Sequence, residues 1–361
     1  MKTGQAIRRG MRSYGRSLLS GSLLVCCMSC TDWIYEDRSG CDRGVYLNFR
    51  YDYNLQRADM FSDHVGGVTV YVFDADGDFV TSRSEANTAG SAPLRAKDYR
   101  MHLDLPAGEY RFVALAMQKE VAETQRGPGA KFRIAGPDGG KMEGLSVTLD
   151  HAPDGRVEHG GLPLDTLWHA MSPRSVVTSD LYAVSETLSL VRDTKHIDVV
   201  LREIDDPAGV DVADYDFRIT DRNLRLRYDN SVDESGPAVY TPYVAWNTED
   251  RTGREAAEGV GRMAHVGFMT SRILYHDRAE EDAVLTVTHR ETGREVIRVN
   301  LADMLARLRS ADELHACSEQ EFLDRGYDYR MTFFLKGDTW EAVDLEISVL
   351  NWSRRIQNVI R

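Results

Sequence analysis

From Val45 the chain alternates: Val45, Leu47, Phe49, Tyr51 and Tyr53 fall on one side, with Tyr46, Asn48, Arg50 and Asp52 between them. That period of two predicts a half-buried strand. A second run, Val68 to Phe73, meets Asp74-Ala75-Asp76-Gly77-Asp78 and resumes at Phe79-Val80, which predicts a hairpin with turn chemistry at its tip. Further strands are expected at Tyr99–Leu105, Glu109–Ala116, Leu145–Leu149 and Ile197–Leu201. Beyond the polar break Asp205-Asp206-Pro207-Ala208-Gly209 a fresh series begins with Tyr215, Phe217 and Ile219. It continues with a hairpin from Ala283 to Leu301 and a long pair, Tyr327 to Leu335 and Val343 to Trp352, around Lys336-Gly337-Asp338. Helical spacing is sparse, confined to Leu301–Leu308 and to Ser318–Arg325, which opens with Ser-x-x-Glu and stops at Gly326. Many short strands with turn signals predict a mainly β protein of two antiparallel sandwiches, residues 45–204 and 205–361.

The first 29 residues are different. Residues 1 to 16 are basic, and Leu18 to Met28 are apolar apart from small residues, the charged and hydrophobic parts of a secretory signal. Either Met1 or Met11 could open it. Eleven residues cover about 16 Å as a helix, roughly half a hydrocarbon core, so this run is read as a cleaved signal and not as a permanent span. It ends Cys27-Met28-Ser29-Cys30 with polar, acidic sequence following, and this resembles a bacterial lipobox. The resemblance implies cleavage between Ser29 and Cys30 and acylation of Cys30, leaving residues 30–44 as a lipidated linker. Cys27 departs from the usual branched aliphatic residue, and Cys27 itself is a second candidate.

Charge narrows the partners. The chain carries −13 overall, and the leader holds five basic side chains and no acid; taking those five positive charges from −13 leaves −18 for the remainder. So negative a surface repels phosphate backbones and anionic headgroups, so nucleic acid is not expected as a partner. Attachment to a membrane would need acyl chains and not a basic patch.

Candidate chemistry is thin. The ten histidines show no spacing that puts two ligands on one helix face, so no metal and no other cofactor is expected. Asp74, Asp76, Asp78 and Glu85 fall on the first, third, fifth and twelfth places of a calcium-loop count, but Phe79 stands where the loop needs glycine, and a solvated hairpin tip is favoured. Gly136 to Lys141 lacks the spacing and the Ser or Thr of a phosphate loop, and no Gly-x-Ser-x-Gly elbow is present. No catalytic residue is assigned. A hydrolase built from distant acids such as Asp205, Asp206 and Glu234 has no motif behind it. Cys41 and Cys317 could form a disulfide in an oxidising envelope, or each could be a lone thiol. Trp168, Trp246, Trp340 and Trp352 fit core packing better than an exposed glycan platform.

The ordered set of short motifs is more specific than any one of them. Cys30 is followed by Trp33-Ile34-Tyr35-Glu36-Asp37, then Cys41-Asp42-Arg43-Gly44-Val45-Tyr46-Leu47 and Phe49-Arg50-Tyr51-Asp52-Tyr53-Asn54. Later come Val70-Tyr71-Val72-Phe73-Asp74, the Leu105 to Phe112 turn, Leu167-Trp168-His169, Asp193-Thr194-Lys195, and Asn351-Trp352-Ser353-Arg354-Arg355. Together they resemble the FimB/Mfa2 family of fimbrial anchor lipoproteins of Bacteroidales, with Lys195 where Asn is expected. The resemblance implies two transthyretin-like sandwiches and a non-enzymatic, surface-exposed lipoprotein of the outer membrane that holds a fimbria to the cell and limits its length. The implied partner is the shaft pilin, joined by strand complementation. Because cleavage after Arg43 would free the protein from its lipid, the anchor is expected to keep its first strand and donate its C-terminal region, Val343 to Arg361; the equally open alternative is that Val343 to Trp352 is an ordinary internal strand and only the last few residues are free. The candidate interface residues there are Val343, Leu345, Ile347, Val349, Ile356 and Val359. The alternative is an adhesin, a surface lipoprotein binding glycans or host proteins.

Overall fold

The computed structural model describes residues 42–250, 261–311, 316–337, 339–349 and 352–359, the last of these as backbone. The first strand, Gly44–Arg50, turns Val45, Leu47 and Phe49 inward as its alternation requires, and all three are buried. It lies in a three-stranded sheet between Ala183–Ser189, with which it runs parallel, and Arg100–Leu103, with which it runs antiparallel. Gly44 adopts a φ of 86°, and a Cβ there would sit 2.1 Å from the Leu103 carbonyl oxygen, so the chain can enter the sandwich at this point only through glycine.

Facing it is a six-stranded sheet in the order Val191–Arg192, Leu167–Met171, Gly108–Met117, Gly67–Asp74 and Phe79–Ala86, with Val176–Thr178 also paired to Gly108–Met117. The hairpin expected at Asp74–Asp78 is present. The Asp74 carboxylate accepts from the backbone N–H groups of Asp76 and Asp78, at 3.0 and 2.8 Å, and so acts within its own turn.

A second set of sheets follows. Six strands run in the order Val244–Asp250, Gly261–Thr270, Lys195–Glu203, Asp328–Lys336, Thr339–Val349 and Trp352–Val359. A five-stranded sheet runs from Glu295–Asn300 through Val284–His289, Tyr215–Asp221 and Ala238–Tyr240 to Arg156–Val157. A four-stranded sheet holds Val232–Asp233, Arg225–Arg227, Ser146–Leu149 and Phe132–Ala135. Both expected helical segments form. Asn300 caps Leu301–Ala306, and Ser318 caps Glu319–Arg325 through the Glu321 N–H at 3.1 Å.

The division expected at 204/205 is not where the sheets divide. Ser146–Leu149 pairs with Arg225–Arg227, Arg156–Val157 with Ala238–Tyr240, and Lys195–Glu203 with both Gly261–Thr270 and Asp328–Lys336. Asp205 to Gly209 is a turn leaving a strand of the second set, closed by the Gly209 N–H on the Asp206 carbonyl at 2.8 Å. A polar Pro-Gly break punctuates a hairpin and a domain boundary alike, and only long-range pairing tells them apart. Among the described residues three strand pairs are parallel, another feature that local pattern does not carry.

The strand Gly108–Met117 explains how the two cores meet. Phe112, Ala114 and Ala116 pack into the core of the first sandwich, while Val113, Leu115 and Met117 pack into the larger second core. Residues 112–117 are therefore an unbroken apolar run, as a strand buried on both faces demands.

Candidate functional site

The motif Asp193-Thr194-Lys195 lies between the short strand Val191–Arg192 of the first sandwich and the central strand Lys195–Glu203 of the second. Lys195 is fully buried, and its Nζ donates to the carbonyls of Arg192 at 3.0 Å, Asp324 at 3.1 Å and Gly326 at 2.9 Å, using all three protons. Arg272 forks onto the Asp324 carboxylate at 2.8 and 2.7 Å and donates to the Asn230 carbonyl. Asn230 in turn donates to the Asp193 carboxylate at 2.9 Å. Burial pushes the Asp193 carboxyl up and the Lys195 ammonium down, each opposed by the charges of its neighbours.

Aromatic side chains close this junction from the first sandwich. Trp168 is fully buried and meets Tyr51 edge to face, with ring centres 5.7 Å apart. The Arg192 guanidinium lies 4.1 Å from the Tyr327 ring centre and 5.9 Å from that of Trp168. Burial pushes the Tyr51 phenol up to about 12. Arg325 stacks over Tyr53 at 4.0 Å, and His169 bonds the Tyr228 carbonyl at 2.8 Å. Gly326 ends the Glu319–Arg325 helix with a φ of −81°, so no left-handed turn explains the glycine. A Cβ there would lie 2.1 Å from the Tyr329 hydroxyl, so the requirement is space.

The site residues expected from sequence are distributed as follows. Ser29, Cys30 and Cys41 lie outside the described residues. Cys317 is partly buried, carries a free thiol, and its thiol is pushed up by burial. Val343, Leu345 and Ile347 are buried in the strand Thr339–Val349, which is paired on both sides. In this state they face the core. Val349 ends that strand opposite Trp352, while Ile356 and Val359 stand opposite Leu345 and Ala342 on the outermost strand Trp352–Val359. The terminal strand, and not Thr339–Val349, is thus the C-terminal edge of the sheet.

Asp205 and Asp206 belong to the turn after Lys195–Glu203, whereas Glu234 is engaged with His276 Nε2 at 3.1 Å. Among the described residues no three His, Cys, Asp or Glu side chains converge to hold a metal, and no helix is long and apolar enough to cross a membrane. Of the tryptophans, Trp168 is core, Trp340 packs against Phe333, and Trp246 is 39% exposed, stacked on His265 with ring centres 5.1 Å apart. Sequence reading missed Arg192, Asn230, Arg272 and Asp324. The one available signal was Asp193-Thr194-Lys195, a polar triplet leading straight into a buried strand.

The fold and its interior define a mainly β protein of paired sandwiches, whose buried polar groups hold the sandwiches together. The chain belongs to the family of fimbrillin-A associated anchor proteins Mfa1 and Mfa2, which it matches over residues 38–358. It is 22% identical over 295 residues to the minor fimbrium anchoring subunit Mfa2 of Porphyromonas gingivalis, covering 80% of this chain and 79% of that one. A solved candidate adhesin of Bacteroides thetaiotaomicron VPI-5482 superimposes with a TM-score of 0.69 at 29% identity, over 88% of this chain and 98% of that one. The solved fimbrial anchor protein Mfa2 of P. gingivalis gives a TM-score of 0.54 at 17% identity, over 86% and 98% of the two chains, and so shares the fold. The recognised family and the mainly β architecture are therefore established, and with them a fimbria-associated role at the cell surface.

Proposed function

We propose that this protein holds a fimbria to the outer membrane through acyl chains on Cys30, joins the basal shaft pilin by strand complementation, and limits fibre length. The observation that carries the reading is the family match, which spans nearly the whole chain after the leader. The state of the first strand supports it. Gly44–Arg50 is paired along both edges and its apolar side chains are buried, as expected of a subunit that keeps this strand and its link to the lipid. Arg43 supports it too, for its side chain is paired with Asp104 at 2.7 Å and its carbonyl accepts from His102 at 2.8 Å.

Within the C-terminal region the member suited to complementation is Trp352–Val359. An outermost strand can leave, or receive a neighbour, without opening a sheet in its middle. Thr339–Val349 would then offer its backbone edge to the exchanged strand, while Val343, Leu345 and Ile347 stay in the core. The test replaces Cys30 by Ala in the native bacterium and separately deletes residues 354–361, following protein and fibres between cells and medium. Fibres shed or lengthened by Cys30→Ala support the anchor; fibres that stay attached while this protein alone is released refute it. Fibres that remain attached to a folded, surface-exposed deletion variant refute the C-terminal joint.

Trp246 favours a second reading as an adhesin, because an exposed indole on an outermost strand, backed by His265, is a stacking surface for a sugar ring. That reading requires saturable glycan binding without pilin, lost in Trp246→Ala.

A further inference from the structure

The end of the first sandwich at which the chain enters is built from three pieces. Gly44 is paired with Ala183, Thr178 with Gly108, and the Thr178 hydroxyl donates to the Pro106 carbonyl at 2.6 Å. The Asp180 carboxylate is engaged by the Ala107 N–H at 3.0 Å, and Arg43 is paired with Asp104. Three apolar side chains project from this end within six residues of chain: Val177 is 69% exposed, and Leu181 and Tyr182 are each 60% exposed. They are the most exposed large apolar side chains among the described residues.

We propose that this apolar end is the surface by which the protein rests on the membrane, a proposal that depends on the acylation of Cys30 put forward above. Three arguments choose lipid as the occupant. Only twelve residues lie between Cys30 and Arg43, so the linker holds this end within roughly 45 Å of the acyl chains even when fully extended. The opposite end of the Gly44–Arg50 strand leads through Tyr51 and Tyr53 into the junction with the second sandwich, so the tether and the patch share one end. A chain at −18 after its leader meets anionic headgroups with repulsion, so contact has to come from apolar side chains, and tyrosine is well suited to the interface. Tethering makes even a weak contact effective, because the lipid keeps the local concentration of membrane high. Glu109, paired opposite Val177, marks the polar rim.

The experiment compares amide hydrogen exchange in the lipid-modified chain bound to phosphatidylcholine vesicles with that in the full-length Cys30→Ala chain free in solution. Exchange across residues 177–182 is expected to slow by roughly fivefold or more on vesicles, while the Gly337 turn is unchanged. The Leu181→Ser, Tyr182→Ser variant, with an unaltered melting temperature, is expected to lose that protection and still float with the vesicles. Unchanged exchange in vesicle-bound protein overturns the proposal. Protection that appears without vesicles as protein concentration rises assigns the patch to a second copy and overturns it as well. A wild-type chain that does not float removes the acylation reading, and the proposal with it.

Discussion

Lys195 and Asp324 are hydrogen-bonded through backbone and not through the carboxylate: the Lys195 ammonium donates to the Asp324 carbonyl, while the Asp324 carboxylate is held by Arg272. One residue of the Glu319–Arg325 helix thus receives a hydrogen-bond donor from the central strand of the second sandwich and another from the segment after Gly261–Thr270. Lys195→Met leaves three buried carbonyls without a donor. The expected loss is about 3–5 kcal/mol, read from urea unfolding. Lys195→Asn, the residue expected from the family, is too short to reach all three and is expected to fall between the two.

Arg272→Leu exposes the other half of the same joint. It leaves the Asp324 carboxylate buried without its ion-pair partner, with Gln320 still donating to it, and a loss of about 3–5 kcal/mol is expected. The double variant Arg272→Leu, Asp324→Leu is expected to recover part of it, since no charge then remains buried. Chemical denaturation of the three variants checks the coupling.

Because Gly108–Met117 serves two cores, damage on either face is expected to spread to both. Leu115→Ala and Phe112→Ala open cavities on opposite sides of one strand, with expected costs of about 2–5 kcal/mol. Calorimetry is expected to show one lowered transition in each variant. Two separated transitions would show that the cores melt independently.

Two histidines and one aspartate give opposite pH dependences. Burial pushes His159 and His169 down to about 4, so each stays neutral in the folded chain where the unfolded one is protonated. Their contribution is present above about pH 6.5 and is lost as pH falls through about 4. Burial pushes Asp221 up to about 7, and its contribution, full below about pH 4, is lost as pH rises through about 7. His169→Gln is expected to flatten the fall in melting temperature between pH 6.5 and 4, and Asp221→Asn to gain stability relative to wild type above pH 7.

What was legible in the sequence followed from local rules. Alternation placed Gly44–Arg50, Gly67–Asp74 and Tyr215–Asp221, side-chain chemistry placed the Asp74 turn and the Ser318 cap, and the ordered motifs gave the family. These are properties of neighbours a few residues apart, for which period and hydrogen-bonding groups suffice. The tertiary structure alone decided which strands pair: that Ser146–Leu149 and Lys195–Glu203 join the second set of sheets, that Thr339–Val349 is interior, and that Trp352–Val359 is the edge. It also decided that Lys195, Arg272 and Asp324 meet, although 129 positions separate the first from the last. A charged residue reads as solvated until its partners are brought to it by strands whose register depends on distant chain, and burial then reverses its meaning.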